Sequence, residues 1–311
     1  MTLTTGVCQD LPPSVRTLFW NLNSNVASQV VASAARSMDI DLLVLAENAN
    51  SLADLAIALN DGQDRLFLTS TKGLPALRRS LTVFFRYSVD SVRPVTDGPG
   101  VAIFELSPPS SLSINVVAVH LRSKLHSDGD NQLLAAVEVR ELIEDAEELT
   151  GHRRTVVVGD LNMDPFEPGV VAANALHGVM SRAVAATGSR TVNDKERRYF
   201  YNPMWNQFGD HAPGPPGTYY RSPSGFKAHF WHVLDQILIR PELLERVIDE
   251  DIRVVTSIDG ISLLDAGGRP NSGAYSDHLP IFAEIDLKLD FQNGVVLDGE
   301  NKPMGADQRE G

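Results

Sequence analysis

The chain is poor in cysteine, in long apolar runs and in positive charge, and each shortage closes off a class of protein. Cys8 is the single cysteine among 311 residues, so no intramolecular disulfide staples the fold and a buried core must stabilise it. No apolar run approaches the roughly 20 residues that a bilayer-spanning helix needs. Residues 1–13 hold no basic segment followed by an apolar core, so the sequence predicts no secretory signal and a cytoplasmic location. Lysine and arginine number 27 against 40 aspartates and glutamates, a formal net charge of −13. That balance weighs against a tight, non-specific binder of polyanions, whose affinity comes from cationic surface and released counterions. It leaves a nuclease open, because nearby cations and bound metal set the field at a site.

What is present is ordinary in bulk, with 43% hydrophobic and 22% charged residues. The organising stretch is Arg153 to Phe166, R-R-T-V-V-V-G-D-L-N-M-D-P-F. The β-branched run Thr155–Val158 predicts a buried strand, and Gly159 is a place where the backbone is free to turn sharply. Asp160 and Asn162, separated by the single apolar Leu161, are expected to point to the same side. A carboxylate beside a carboxamide can hold a hard cation and orient a phosphate or a water, although the same pair also suits a plain turn.

The remaining pattern alternates strands with helices. Strands are expected at 17–20, 41–46, 66–70, 81–87, 101–106, 113–120, 233–239 and 279–285, and helices at 26–38, 51–60, 131–149, 168–176 and 241–247. Ser24 or Asn25 is the expected cap of the first helix. The helix at 131–149 is expected to bury Leu133, Leu134, Val137, Leu142 and Ile143. Its opposite face, with Glu138, Glu141, Glu144, Asp145, Glu147 and Glu148, should be solvated. Residues 186–230, punctuated by glycine and proline, predict no regular structure. Residues 1–15 read as a loose leader, 16–290 as one catalytic domain and 291–311 as a disordered tail. The fold class expected is α/β with mixed sheets.

Several of these strands end in a polar group of one chemical kind. Asn21 follows Phe19-Trp20, Glu47 follows Val44-Leu45-Ala46, His120 follows Val117-Ala118-Val119, and Asp160 and Asn162 follow Val158-Gly159. Asp277 and His278 stand just before a strand. Asp235 sits inside an apolar one, where an unpaired carboxylate is costly and a histidine is the natural partner. Carboxylates, carboxamides and imidazoles of this kind can hold a hard cation and accept a proton near neutral pH.

Six motifs, W-N-L-N at 20–23, L-A-E-N at 45–48, V-H-L at 119–121, G-D-L-N at 159–162, L-D-Q-I at 234–237 and S-D-H-L-P at 276–280, resemble in kind and order those of the endonuclease/exonuclease/phosphatase superfamily. The resemblance implies a four-layer α/β sandwich, two packed mixed β-sheets flanked by helices. It implies a divalent cation, Mg2+ with Mn2+ as an alternative, held by Glu47 with Asn21 and Asp277. By the same resemblance His278 is the general base and Asp235 its orienting partner. Asp160 and Asn162 then position water and phosphate, and His120 contacts the phosphoryl oxygens. Asn23 stands where relatives carry a further polar ligand, and Asp164 reads as a turn residue. His126, His152, His177, His211 and His232 read as surface or structural.

The substrate is less determined. Met163-Asp164 after G-D-L-N and Trp231-His232-Val233-Leu234 before Asp235 depart from inositol polyphosphate phosphatases, whereas His120-Leu121 is similar to the deoxyribonuclease and sphingomyelinase branches, the second of which would need membrane access. Four of six tyrosines and two of three tryptophans fall in residues 197–231, interleaved with cations. Arg197, Arg198, Tyr220, Arg221, Lys227 and Trp231 are therefore the expected contacts to nucleic acid, the alternative being a loop pinned by buried aromatics. A nuclease favouring DNA is the first expectation, a small-molecule phosphatase or phosphodiesterase the second and an inactive binding module the third. No membrane anchor is expected, and the sequence leaves the oligomeric state open.

Overall fold

Strands covered on both faces read as unbroken apolar runs, and the two large sheets here are built that way. The computed structural model of the chain describes residues 14–69, 80–123, 129–210, 213–222, 228–292, 295–298 and 302–303. In chain order these form β1 (Ser14–Asn21), α1 (Ser28–Ser37), β2 (Leu42–Ala46), α2 (Leu52–Asn60), β3 (Leu81–Phe85), β4 (Val92–Gly98), β5 (Val101–Leu106), β6 (Ile114–His120), α3 (Gly129–Thr150) and β7 (Thr155–Asp160). There follow β8 (Gly178–Val179), β9 (Ser189–Val192), β10 (Lys195–Arg198), β11 (Phe200–Tyr201), β12 (Tyr219–Tyr220), β13 (Trp231–His232), β14 (Asp235–Ile239), β15 (Arg253–Val254), β16 (Ser257–Ile258), β17 (Ile261–Ser262) and β18 (Ile281–Asp286).

One sheet has the order β15-β18-β1-β2-β3 and the other β4-β5-β6-β7-β14-β11-β8, and both are mixed. In the first, β1 and β2 are parallel and the other pairs antiparallel. In the second, β6 with β7 and β8 with β11 are parallel. Phe19, Val44 and Phe85 of the first sheet meet Phe104, Val116, Val158 and Ile237 of the second in a shared core. The outer face of the first sheet, through Leu18, Trp20, Leu43 and Leu45, packs on Val31 and Ala35 of α1 and Leu55 and Leu59 of α2. The outer face of the second, through Ile103, Val117, Val119 and Val157, packs on Ala136, Val139 and Ile143 of α3. The result is a four-layer α/β sandwich.

Several local expectations change. Neither Ser24 nor Asn25 caps α1: Asn23 and Ser24 are spent in a left-handed turn (φ 45° and 59°), and the amide of the capping residue Ala27 donates to Asn50 Oδ1 at 3.0 Å. Leu134 is exposed and Glu147 buried, because Arg240 from the end of β14 reaches α3 and pairs with Glu147 at 2.8 Å. Within 186–230 the chain makes the β9–β10 hairpin, turned through Asn193 and Asp194, both at positive φ as two-residue hairpin loops require. The expected strand at 66–70 is reduced, among its described residues, to one bridge between Leu68 and Phe85. Within the expected tail, Asp290–Gln292, Val295–Asp298 and Lys302–Pro303 pair as a small antiparallel sheet.

Candidate active site

Strand direction gathers the polar ends. The parallel pairs β1–β2 and β6–β7 carry Asn21 beside Ala46, which precedes Glu47, and His120 beside Asp160. Antiparallel β14 opens at Asp235, opposite Asp160, so it delivers its carboxylate to the same edge. Gly159 does not turn the chain: it lies within β7 at φ 150°, where a Cβ would fall 2.0 Å from the Val119 carbonyl oxygen. A side chain there would force apart the strands that carry His120 and Asp160. The turn comes later, at Asn162 (φ 52°), and Glu47 likewise leaves β2 in a left-handed conformation (φ 48°).

Hydrogen bonds then join the two sheets. Asn21 Nδ2 donates to Asp160 Oδ2 at 3.0 Å and to Glu47 Oε1 at 3.4 Å. Asn162 donates from its backbone N to Asp160 Oδ1 at 2.7 Å and from Nδ2 to Asp160 Oδ2 at 3.1 Å. His278 Nδ1 lies 2.8 Å from Asp235 Oδ2. Trp20 Nε1 donates to the His278 carbonyl at 2.9 Å, and Ser276 Oγ accepts from the His278 amide, which fixes the S-D-H loop against β1. His120 Nε2 lies 3.3 Å from Glu47 Oε1. A cavity of about 400 Å³ is lined by Asn21, Glu47, Asp160, Asn162, Asp277 and His278, with Asp235 behind His278 and His120 behind Glu47.

The electrostatics follow from crowding carboxylates beside imidazoles. Burial, then the charge of Asp235, raises the Asp160 carboxyl above its usual range, and burial does the same to Asp277. Burial opposes a proton on His278, yet Asp235, Asp160 and Asp277 outweigh it and push the imidazole up to about 10. The hydrogen bond from His120 lowers Glu47, and Glu47 with Asp160 raises His120 against its burial. Asp277 Oδ1 and Asp235 Oδ1 are buried without a hydrogen-bond partner among the described residues. Orphaned carboxylate oxygens in an acidic cup suit a hard cation. Asp160, Asp235 and His278 also place one ligand atom each within 4.8 Å of one another. Both Asp160 oxygens and His278 Nδ1 are already engaged, however, so Glu47 and Asp277 are the better-suited donors.

The expected substrate contacts divide. Arg198 lines a separate surface cavity with Glu147, Glu148 and His152, near the Thr155 end of the second sheet, and Arg197 lies on the same hairpin. Neither is brought to the cup. Lys227 lies outside the described residues, as do His126 and His211. Tyr220 and Trp231 pair across the β12–β13 hairpin and face a second cleft, where Arg269 stacks over Tyr220 at 4.5 Å. Arg221 does line the cup. So do Tyr219 and His232, the cross-strand pair on the opposite face of the hairpin, which sequence reasoning passed over. Period-two alternation around the Tyr-Tyr and Trp-His dipeptides was the available signal. His232 is held by Asp164, which opens the expected turn, its carbonyl accepting the Glu167 amide at 2.9 Å, and is also a buried partner, Oδ2 to Nδ1 at 2.7 Å.

A four-layer sandwich with an imidazole–carboxylate cup at the strand ends defines a phosphoester hydrolase scaffold. The sequence profile described as the endonuclease/exonuclease/phosphatase family matches residues 18–278. The chain belongs to that family, whose members hydrolyse phosphoesters. Similar solved structures include the endonuclease domain of TRAS1, a telomere-specific non-LTR retrotransposon, at 13% identity, covering 88% of this chain and 99% of that one with a TM-score of 0.48. A family member from Leptotrichia buccalis C-1013-b matches at 13% identity, 88% and 100% coverage and TM-score 0.49. D. rerio TDP2 complexed with a single-strand DNA product matches at 14% identity, 87% and 98% coverage and TM-score 0.49. No curated protein sequence matches the chain.

Proposed function

We propose that this chain is a divalent-cation-dependent phosphodiesterase that cleaves nucleic acid, DNA in the first instance, by attack of an activated water. The observation that supports it is the Asp235–His278 contact of 2.8 Å at the wall of a cavity rich in carboxylates. In this reading Glu47 and Asp277 hold the cation with Asn21 beside them, and Mg2+ or Mn2+ is the ion. When bound, it neutralises the phosphoryl oxygens and offsets the carboxylate field that keeps a proton on His278.

The chain's own residues do the rest. His278 Nε2, left free because Nδ1 is bound to Asp235, takes the proton of the attacking water. Asp235 fixes the tautomer and stabilises the imidazolium so formed. Asp160, braced by Asn21 and Asn162, orients water and phosphate, and His120, 3.3 Å from Glu47 through Nε2, positions that carboxylate from behind the cup. An aromatic group adjoins the His232 wall: Phe166, 43% exposed, packs with Trp205, Phe208 and His229, and His229 lies 6.1 Å from His232 between ring centroids.

A smaller phosphoester is the second reading. It is favoured because Arg221 is the one lysine or arginine among the described residues lining the cup, in a chain of net charge −13. Purified protein incubated with plasmid, single-stranded DNA and RNA oligonucleotides and bis-p-nitrophenyl phosphate, with Mg2+, Mn2+ or chelator, tests both. Cleavage of the polynucleotides only with metal is expected. Turnover of the nitrophenyl ester with all polynucleotides intact favours the second reading, and metal-independent cleavage overturns the mechanism.

A further inference from the structure

The cup holds a second imidazole backed by a second buried carboxylate, and the reaction outlined above does not use it. Asp164 Oδ2 meets His232 Nδ1 at 2.7 Å, while Asp164 Oδ1 accepts the Val233 amide at 2.9 Å. Asp164 is 2% exposed, so both carboxylate oxygens are held in a buried setting, while its own amide donates to Glu167 Oε1. With Nδ1 engaged, Nε2 is the ring nitrogen left to His232, and the described residues offer it no hydrogen-bond partner. His232 lines the same cavity as His278, and both rings pack against Tyr219, at 6.2 and 4.8 Å between centroids. A staple joining the loop after β7 to the hairpin would not need an imidazole on the cavity wall.

We propose that His232 is the general acid of the phosphodiester cleavage and Asp164 its positioning residue, an inference that rests on the phosphodiesterase reading. The water oxygen bonds to phosphorus as His278 Nε2 takes its proton. The bond from phosphorus to the leaving oxygen breaks, its electron pair going to that oxygen, which takes the proton from His232 Nε2. The ring is left neutral with its Nδ1–H on Asp164, and solvent returns the proton before the next turnover. Protonation matters for a sugar hydroxyl, which leaves poorly as an alkoxide, and hardly at all for nitrophenolate, which is stable as the anion.

Leaving-group dependence therefore separates this role from a structural one. Rates are compared for wild type, His232→Gln and Asp164→Asn on a thymidine dinucleotide and on the p-nitrophenyl ester of thymidine monophosphate, with the same metal. His232→Gln is expected to shift the nitrophenyl-to-dinucleotide rate ratio by about 10²-fold, and Asp164→Asn by about 10-fold in the same direction. Retained turnover of the nitrophenyl ester shows in the same experiment that each variant is folded. Equal losses on both esters, or no loss on either, overturn the proposal while leaving the phosphodiesterase reading in place. Wild-type protein that turns over neither ester overturns both.

Discussion

At the scale of single residues, the buried carboxylate of Asp235 was legible from the sequence as a group in need of a histidine, and His278 meets it at 2.8 Å. Asp164 and His232 were not, because Asp164 reads as a turn residue after G-D-L-N and nothing local ties it to a histidine 68 positions away. The Asp235–His278 pair has a consequence that does not depend on substrate. Asp235 and its neighbours push His278 from the ordinary 6.5 of an imidazole up to about 10, so its proton stabilises the metal-free fold fully below about pH 6.5, and that contribution is lost as pH rises through about 10. Asp235→Asn removes most of the cause. Urea denaturation in chelator is expected to show the variant trailing wild type near pH 6 and the gap narrowing toward pH 10. A gap constant across that window would mean that Asp235 does not hold the proton on His278. His278→Ala is expected to lower kcat by about 10²–10⁴-fold, the usual worth of a general base. Full activity in a cleavage assay would remove His278 from that role.

At the scale of elements, long apolar strands and the helix at 129–150 were readable because period and length speak within one window. Strands of two residues such as β8 and β11 exist only through partners far along the chain, which no local window contains. Tertiary pairing also overrode charge patterning on α3. Glu147 looked solvated, but Arg240 is 2% exposed, stacks on Phe200 at 3.9 Å and needs that carboxylate. Removing one partner of a buried ion pair strands the other, so Glu147→Ala is expected to destabilise the fold by about 3–5 kcal/mol. Denaturant midpoints measure it, and Arg240→Met with Glu147→Leu should recover much of the loss. Gly159 makes the complementary case between β6 and β7. A Cβ 2.0 Å from a backbone oxygen cannot be absorbed by a side-chain shift, so Gly159→Ala is expected to cost more than about 1 kcal/mol and to depress activity by parting His120 from Asp160. Wild-type turnover in a stably folded Gly159→Ala would show that the register at this edge is not needed.

At the scale of the whole molecule, three apolar clusters surround the two sheets, while the acidic cup sits at one edge where strands from both sheets end. Core and cup are thus separable: the first sets the fold and the second concentrates like charge that the fold must tolerate. Removing divalent cations is expected to abolish activity while far-UV circular dichroism stays unchanged. Adding Mg2+ back should raise the unfolding free energy by RT ln(1 + [Mg2+]/Kd), about 2.7 kcal/mol at a hundredfold excess over Kd. At the proposed site the gain would come from the orphaned oxygen of Asp277 and from relieved repulsion among Glu47, Asp160, Asp235 and Asp277. Because those carboxylates hold a proton on His278, cation binding at pH 7.5 should also release protons, and titration calorimetry in two buffers of different ionisation enthalpy counts them. Glu47→Gln, which removes a ligand but leaves the three core clusters intact, should abolish both the stabilisation and the proton release. A variant that keeps both would move the cation away from Glu47, and with it the placement of the phosphate in the cup.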